Sequence, residues 1–142
     1  MMRIDCKPHF VIGDPANPYL LRWYLVPRNR RANIYLHNIR RSDDDRALHD
    51  HPWASVSILF RGQYIEHTDT GSRLYRAPAV IYRAATQRHR LELIDGQQAW
   101  TLFLTGRNVR TWGFWCPRGF VPWHEFVAPG AKGQIRRGCG EQ

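Results

Sequence analysis

The segment HDHPWASVSILFRG, residues 49–62, decides the fold of this chain. Its two histidines, His49 and His51, precede the apolar run Val56–Phe60, whose composition is typical of a β-strand. Alternate residues of a strand lie on one face, so we expect the two imidazoles to point the same way. In that arrangement they can supply two neighbouring ligands to one metal ion.

A third histidine stands on a later strand. Residues 89–94 (HRLELI) alternate, with His89, Leu91 and Leu93 on one face and the remaining side chains on the other. Asp95-Gly96 follows this strand and predicts a hairpin turn. The pattern therefore predicts a second β element that presents an imidazole next to leucines.

The rest of the chain also has the pattern of an all-β protein. Short strand-like segments separated by Gly, Pro and Asp turns are typical of a sandwich or barrel, and they occur at residues 33–39, 48–60, 63–68, 74–82, 89–94, 100–105 and 111–116. Arg61-Gly62 predicts a hairpin with residues 63–68 as its return strand, and Pro78 predicts an interruption of the strand around it. Residues 19–26 are compatible with a short helix or a strand.

The length of 142 residues is that of one domain, and we predict a single domain over residues 1–142. Turn-forming residues predict an N-terminal loop or arm over residues 1–18. Glycines and paired arginines predict a mobile tail over residues 129–142.

This pattern resembles the cupin superfamily over residues 43–106. The first cupin motif, G-x5-H-x-H-x3/4-E-x6-G, is matched by His49, His51 and Gly62, and the histidine of the second motif falls on His89. The resemblance implies an all-β, double-stranded β-helix, which is a jelly-roll barrel. It also implies that His49, His51 and His89 bind a divalent transition metal. Imidazole suits several such metals, so Fe, Zn, Ni and Mn all stay open.

The chain departs from the cupin motifs at positions that bear on chemistry. Ser55 stands at the position of the motif glutamate, so the usual carboxylate ligand is missing. Other family positions are also replaced, by Asp43, Pro78, Ala84, Thr86 and Leu93. A set of three histidines resembles the thiol dioxygenase branch of the cupins. It implies a dioxygenase or an isomerase acting on a small anionic substrate.

Several further residues are candidates for the site. Either Glu66 or His67 must face the barrel interior, and Glu66 or Tyr64 could act as a catalytic group there. For substrate binding, cationic and aromatic side chains are expected to neutralise an anion and to line the pocket; the candidates are Arg83, Arg90, Tyr82, Trp53 and Ser55.

A non-catalytic barrel is the alternative. The net charge of +9 and the missing glutamate favour a module that binds a small ligand, a protein or a nucleic acid, with nucleic acid the less favoured partner. Cupins often form dimers, so a homodimer is an open expectation. The general appearance also resembles uncharacterised cupin-like proteins of phages and prophages.

The cysteines and the apolar segments bear on location. Three widely spaced cysteines do not predict a disulfide framework, and we therefore expect a reducing cytoplasm. No signal peptide is apparent in the first residues, and no apolar stretch is long enough to span a bilayer. We therefore expect no membrane partner.

Overall fold

The computed structural model describes residues 6–43, 47–126 and 139 of the chain. Nearly all regular structure in this part is β, with one short helix at its end. The elements are β1 (Phe10–Asp14), β2 (Asn17–Tyr24), β3 (Asn33–Ile39), β4 (Leu48–His49), β5 (Ser55–Arg61), β6 (Gln63–Thr68), β7 (Gly71–Arg76), β8 (Ala79–Arg83), β9 (His89–Leu93), β10 (Ala99–Thr105), β11 (Gly113–Cys116), β12 (Gly119–Pro122) and α1 (Trp123–Phe126).

The strands form two antiparallel six-stranded sheets. One sheet has the order β1-β2-β3-β10-β5-β8 and the other the order β12-β11-β4-β9-β6-β7. Alternate residues of the central strands are buried, as in β10, where Ala99, Thr101, Phe103 and Thr105 are buried and the residues between them are not. One face of each sheet therefore packs inward, which gives the double-stranded β-helix expected from the sequence.

The main hydrophobic cluster lies between the two sheets. Its buried members come from both sheets and are Leu20, Ile39, Leu59, Tyr64, Ile81, Leu91, Leu93 and Ala99. Four of them, Leu20, Ile39, Tyr64 and Leu91, also line an interior cavity. The core and the cavity therefore share part of their boundary.

Two connections predicted as hairpins instead carry the chain from one sheet to the other. β5 and β6 flank Gly62 but do not pair, and β9 and β10 flank Asp95-Gly96 but belong to different sheets. Gly62 has φ +87°, and a Cβ there would lie 2.5 Å from the backbone oxygen of Gln98. The hairpin predictions are wrong because turn residues specify a reversal of the chain and not the strand that receives it.

The N-terminal segment is more regular than the sequence indicates. The loop predicted for residues 1–18 is corrected by β1, which pairs with β2 from Phe10↔Arg22 to Asp14↔Asn17. The turn residues there form the tight connection of this hairpin. Residues 19–26, for which a helix and a strand were both open, lie largely on β2. The tail predicted for residues 129–142 lies outside the described residues, except for Cys139.

Cys116 and Cys139 form a disulfide, with their Cα atoms 5.5 Å apart. The spacing of the cysteines, which does not predict a disulfide framework, gave no sign of this bond, because the chain brings Cys139 back to β11 over a separation of 23 residues. Cys6 is a free, exposed cysteine. The cysteines thus no longer support the predicted cytoplasmic location.

Helices that could cross a membrane are absent from the described part of the chain, where no helix is both long and apolar enough.

Candidate metal centre

The three histidines singled out in the sequence come together inside the barrel. His49 ends β4 and lies opposite His89 of β9, and His51 follows two residues later, just beyond the strand. The three ring centroids are 4.8–5.2 Å apart. One ring nitrogen from each histidine lies within 4.8 Å of the others, so the imidazoles converge on one point of the cavity wall.

The donor set fits a transition metal ion. Nε2 of His51 and Nε2 of His89 are 3.0 Å apart. Two imidazoles that each bind a metal at about 2.0–2.1 Å, with an angle of about 90–110° between them, have nitrogens about 2.8–3.4 Å apart. The distance between these two atoms is thus that of neighbouring ligands. Three neutral nitrogen donors suit Fe, Zn or Ni, and the geometry does not choose among them.

Glu66 holds His89 in position. Its Oε1 accepts a hydrogen bond from Nδ1 of His89 at 2.6 Å, and it also accepts a short hydrogen bond from Nε of Arg83. Both carboxylate and guanidinium are 2% exposed. A proton on Nδ1 leaves Nε2 of His89 with its lone pair toward the other two histidines, which is the tautomer that metal binding requires.

Arg83 is fixed by a polar cluster in the wall. Its Nη1 donates to Oγ of Ser57 at 2.7 Å, and its Nη2 donates to the hydroxyl of Tyr64 at 3.3 Å. Burial raises the pKa of Tyr64. Of the two predicted catalytic candidates, Glu66 therefore contacts a candidate ligand, whereas Tyr64 contacts the ion pair behind it. The sequence predicts that Arg83 binds an anion. In the structure its guanidinium already pairs with the carboxylate of Glu66.

His51 and His89 are held in the neutral form. Burial lowers the pKa of His51 and of His89 well below the ordinary value, and the neighbouring His49 lowers both further. A neutral imidazole is the form that binds a metal, so these two ligands do not need to release a proton before a metal binds near neutral pH.

Asp50, between the two histidines of the motif, points the opposite way and anchors the segment. It is fully buried, accepts hydrogen bonds from the backbone of Gly113 at 2.9 Å and from Nε1 of Trp115 at 3.0 Å, and pairs with Arg110 at 2.8 Å. A charged side chain at this depth requires such partners. The anchor fixes the backbone from which His49 and His51 project.

The cavity in front of the histidines has a volume of about 1120 Å³. Its walls are rich in aromatic side chains, including Trp53, Phe103, Trp112 and Trp123. The ring of Trp53 stacks on that of His51, with centroids 4.8 Å apart and an interplanar angle of 8°. This volume is slightly above the range of about 300–1,000 Å³ for sites that bind small molecules.

Three further candidates do not lie in the cavity, where the sequence predicts them. Tyr82 is 66% exposed on the outer face of β8, and with Ser55 it borders a separate shallow depression of about 270 Å³. Arg90 lies on the face of β9 opposite His89 and does not line the cavity. The expected pocket positions of Tyr82, Ser55 and Arg90 are therefore corrected, whereas Trp53 and Arg83 do line the cavity.

His67 faces away from the cavity, because Glu66 next to it faces inward. Its ring contacts Oγ of Ser72 and a carboxylate oxygen of Glu92, each at 2.6 Å, on the outer face of the sheet. The alternation along β6 thus resolves in favour of Glu66 as the interior group.

Several cavity residues are not among the sequence candidates, and two of them form an interacting pair. Arg22 of β2 and His37 of β3 line the same cavity and contact each other across the two strands. An arginine inside the apolar run YLLRWYLV, at residues 19–26, is the signal that could have indicated the first of them. Finding it also required knowing that β1 and β2 extend the sheet.

Comparisons with solved structures support the fold, whereas comparisons of the sequence give no match. The sequence matches no protein-family model, and a comparison with curated proteins gives no match. An uncharacterised double-stranded β-helix protein from Klebsiella pneumoniae is 12% identical with a TM-score of 0.56, over 72% of this chain and 89% of that chain. An RmlC-like cupin from Methanocaldococcus jannaschii is 11% identical with a TM-score of 0.52, over 76% and 88%.

A third similar structure is an enzyme. The DMSP lyase DddQ from Ruegeria pomeroyi is 12% identical with a TM-score of 0.52, over 66% of this chain and 49% of that chain. These similarities and the two antiparallel sheets define the class: this is a double-stranded β-helix protein. More particularly, its fold is that of the cupins.

Proposed function

We propose that this protein binds a divalent transition metal through His49, His51 and His89 and acts on a small anionic molecule in the adjacent cavity. The observation that carries the proposal is the convergence of three imidazole nitrogens within 4.8 Å on the wall of that cavity. Three protein ligands leave coordination positions for substrate, which is the arrangement of catalytic and not of structural metal sites. A bound metal would supply Lewis-acid or redox chemistry of the kind that isomerases and dioxygenases use.

The charge of the cavity supports an anionic substrate. Five arginines line it, whereas Asp43 is its one acidic residue within the described part of the chain; the arginines are Arg22, Arg28, Arg30, Arg83 and Arg110. Arg83 and Arg110 are neutralised by buried carboxylates. The remaining positive charge gives the cavity a field that attracts anions.

The similarity to DddQ bears on catalysis by analogy. That protein is a DMSP lyase, so one protein with this fold is an enzyme. Fold alone assigns no reaction, and the lyase activity belongs to that protein. The support for catalysis in this chain comes from the open ligand set and from the cavity beside it.

Elemental analysis tests the metal site directly. The protein would be purified without a histidine tag, loaded with Fe²⁺, Zn²⁺, Ni²⁺ or Mn²⁺ in turn, and desalted. We expect about one ion per chain for at least one metal, and loss of that ion in the His49→Ala/His51→Ala variant. The matched control is His67→Ala, which removes an imidazole on the outer face and should leave the metal content unchanged.

The proposal is wrong if the double variant retains the metal, or if the unchanged protein takes up none of the four ions. Thermal unfolding of each variant would be recorded alongside, so that loss of metal can be separated from loss of the fold.

One observation favours a second candidate, a non-catalytic binding barrel. Nε2 of His51 and Nε2 of His89 lie within hydrogen-bond distance, so the two imidazoles can satisfy each other without a metal. In that case the cavity would bind a small ligand through its aromatic walls and arginines alone. The elemental analysis separates the two candidates, because the binding barrel predicts a metal-free protein with an unchanged melting temperature in EDTA.

A further inference from the structure

Arg22 is an interior cation on the wall of the cavity. It lies on β2, where its Cα is opposite that of His37 on β3. Its Nε donates a hydrogen bond to Nε2 of His37 at 2.8 Å, and its guanidinium lies over the ring of Tyr35 at 4.5 Å from the centroid. Phe10 lies on another side, 6.0 Å away. The guanidinium is therefore surrounded by rings and by one neutral acceptor.

This guanidinium differs from the other interior arginines of the cavity. Arg83 pairs with Glu66, and Arg110 pairs with Asp50. Within residues 6–43, 47–126 and 139, Arg22 forms no ion pair, and the one hydrogen bond of its side chain is made through Nε. Burial lowers its pKa, which reflects the cost of removing this charge from water without a counterion. An interior cation without a carboxylate partner points to an anion that comes from outside.

His37 fixes the direction in which Arg22 presents its terminal nitrogens. The ring of His37 stacks between Tyr35 and Phe103, with centroids 5.7 and 4.9 Å away. Burial lowers the pKa of His37 well below the ordinary value, so its ring is neutral and Nε2 can accept from Arg22. Because Nε already donates to His37, Nη1 and Nη2 are the two nitrogens of the guanidinium that can contact a ligand.

The distance to the candidate metal centre is short. Phe103 stacks on His37, and the centroid of the same ring lies 6.4 Å from that of His51 and 5.4 Å from that of Trp53. The site around Arg22 and the three histidines thus face one cavity, with an aromatic side chain between them. A ligand held at Arg22 can lay an apolar body along this ring.

We propose that Arg22 binds the carboxylate group of the molecule that enters the cavity, and that this molecule is a small monocarboxylate with an apolar or aromatic body. The proposal deepens the proposed function by naming the substrate class, and it rests on that function only for the use of the cavity. A carboxylate fits the two terminal nitrogens in a bidentate pair. Inorganic phosphate is the competing anion, because Arg28 and Arg30 line the same cavity, and the measurements below include it.

Binding measurements on metal-free protein in EDTA test the proposal. Isothermal titration calorimetry would compare phenylacetate with phenylacetamide, which has the same shape and no charge. We expect phenylacetate to bind more tightly than the amide, and Arg22→Met to weaken phenylacetate binding at least about tenfold while leaving amide binding unchanged. Arg61→Met, which removes an exposed arginine outside the cavity, is the control and should bind phenylacetate normally.

Two further variants keep the test decisive. Arg22→Lys retains the charge without the fork and should give an intermediate affinity, which remains informative if Arg22→Met does not fold. The His49→Ala/His51→Ala variant should still bind phenylacetate through Arg22. Failure of the metal site and failure of the carboxylate site are therefore separate results.

Three outcomes would overturn the carboxylate assignment. The first is equal affinity for phenylacetate in the unchanged protein and in Arg22→Met. The second is tighter binding of inorganic phosphate than of phenylacetate. The third is no heat of binding from phenylacetate at millimolar concentrations.

Discussion

His89 donates a hydrogen bond from Nδ1 to Oε1 of Glu66 across 2.6 Å, in the interior of the barrel. The two residues come from neighbouring strands, β9 and β6, and the contact directs Nε2 of His89 toward His51. Glu66 was a candidate catalytic group on sequence grounds. In the structure it contacts a candidate ligand and does not line the cavity, so we assign it a positioning role.

Replacement of Glu66 by glutamine should weaken metal binding. The glutamine keeps the shape but removes the charge that polarises His89, and loss of such a partner lowers metal affinity about 10–100-fold. The dissociation constant would be measured by competition with a chelator. Glu92→Gln, which changes a partly exposed carboxylate on the outer face, is the matched control. Equal affinity in both variants would show that the charge of Glu66 does not contribute to metal binding by His89.

Asp50→Asn should destabilise the protein, although Asp50 itself does not line the cavity. The amide nitrogen of asparagine cannot accept a hydrogen bond from Nε1 of Trp115. The uncharged side chain also no longer neutralises Arg110. A buried donor left without its acceptor costs about 1–3 kcal/mol. Urea denaturation measures the change, and Asp14→Asn is the control because Asp14 is exposed and its turn acceptor is kept. A loss in the free energy of unfolding no larger than that of the control would contradict the anchoring role.

The metal-free protein should lose stability as the pH falls below neutrality. The folded-state pKa of His37, of His51 and of His89 is depressed, mainly by burial, whereas the unfolded value is about 6.5. The unfolded state therefore takes up protons first, and the stabilisation present above about pH 6.5 is lost as the pH decreases toward the folded values. Each group contributes up to about 1.4 kcal/mol per pH unit.

Urea denaturation in EDTA between about pH 7.5 and about pH 5.5 measures this dependence. His51→Gln should show a smaller loss than the unchanged protein. His9→Gln, which replaces an exposed histidine, should show the same loss. A free energy of unfolding that is constant or rises toward pH 5.5 would rule out the neutral, buried imidazoles.

Reduction of the disulfide should lower the stability of the protein. The bond joins Cys116 to Cys139, which are separated by 23 residues in the sequence. Loss of a cross-link that closes a loop of this length costs about 3 kcal/mol in the chain-entropy model. Thermal unfolding with and without dithiothreitol gives the difference. A thiol assay on the denatured, unreduced protein should find one free cysteine, Cys6, of the three. Detection of three thiols would contradict the pairing.

Local pattern was enough to predict the barrel and its histidines. The alternation of residues 89–94 set the face of His89, and the spacing from His51 to Gly62 matched the cupin motif. The structure explains why Gly62 is needed, because a side chain would collide with the backbone of Gln98. These features follow from strand periodicity and from a single backbone constraint, which a sequence displays directly.

Features that depend on distant partners were missed. Nothing local to Arg61-Gly62 shows that β6 joins the opposite sheet, and nothing near Arg22 shows that β2 lies beside β3 along the cavity. The disulfide likewise depends on where the chain after α1 brings Cys139. Tyr82 has an aromatic side chain suited to a pocket, but its position in the alternation of β8 places it outside.

Because Trp53 stacks on His51, the fluorescence of its indole should report on the candidate metal centre. An indole in face-to-face contact with a candidate ligand lies close enough for a bound open-shell ion to quench its emission. Filling of the centre can therefore be followed by intrinsic fluorescence without a dye, a tag or an assay for turnover. Because the same ring lines the cavity, the signal would also respond to a molecule that enters in front of the histidines.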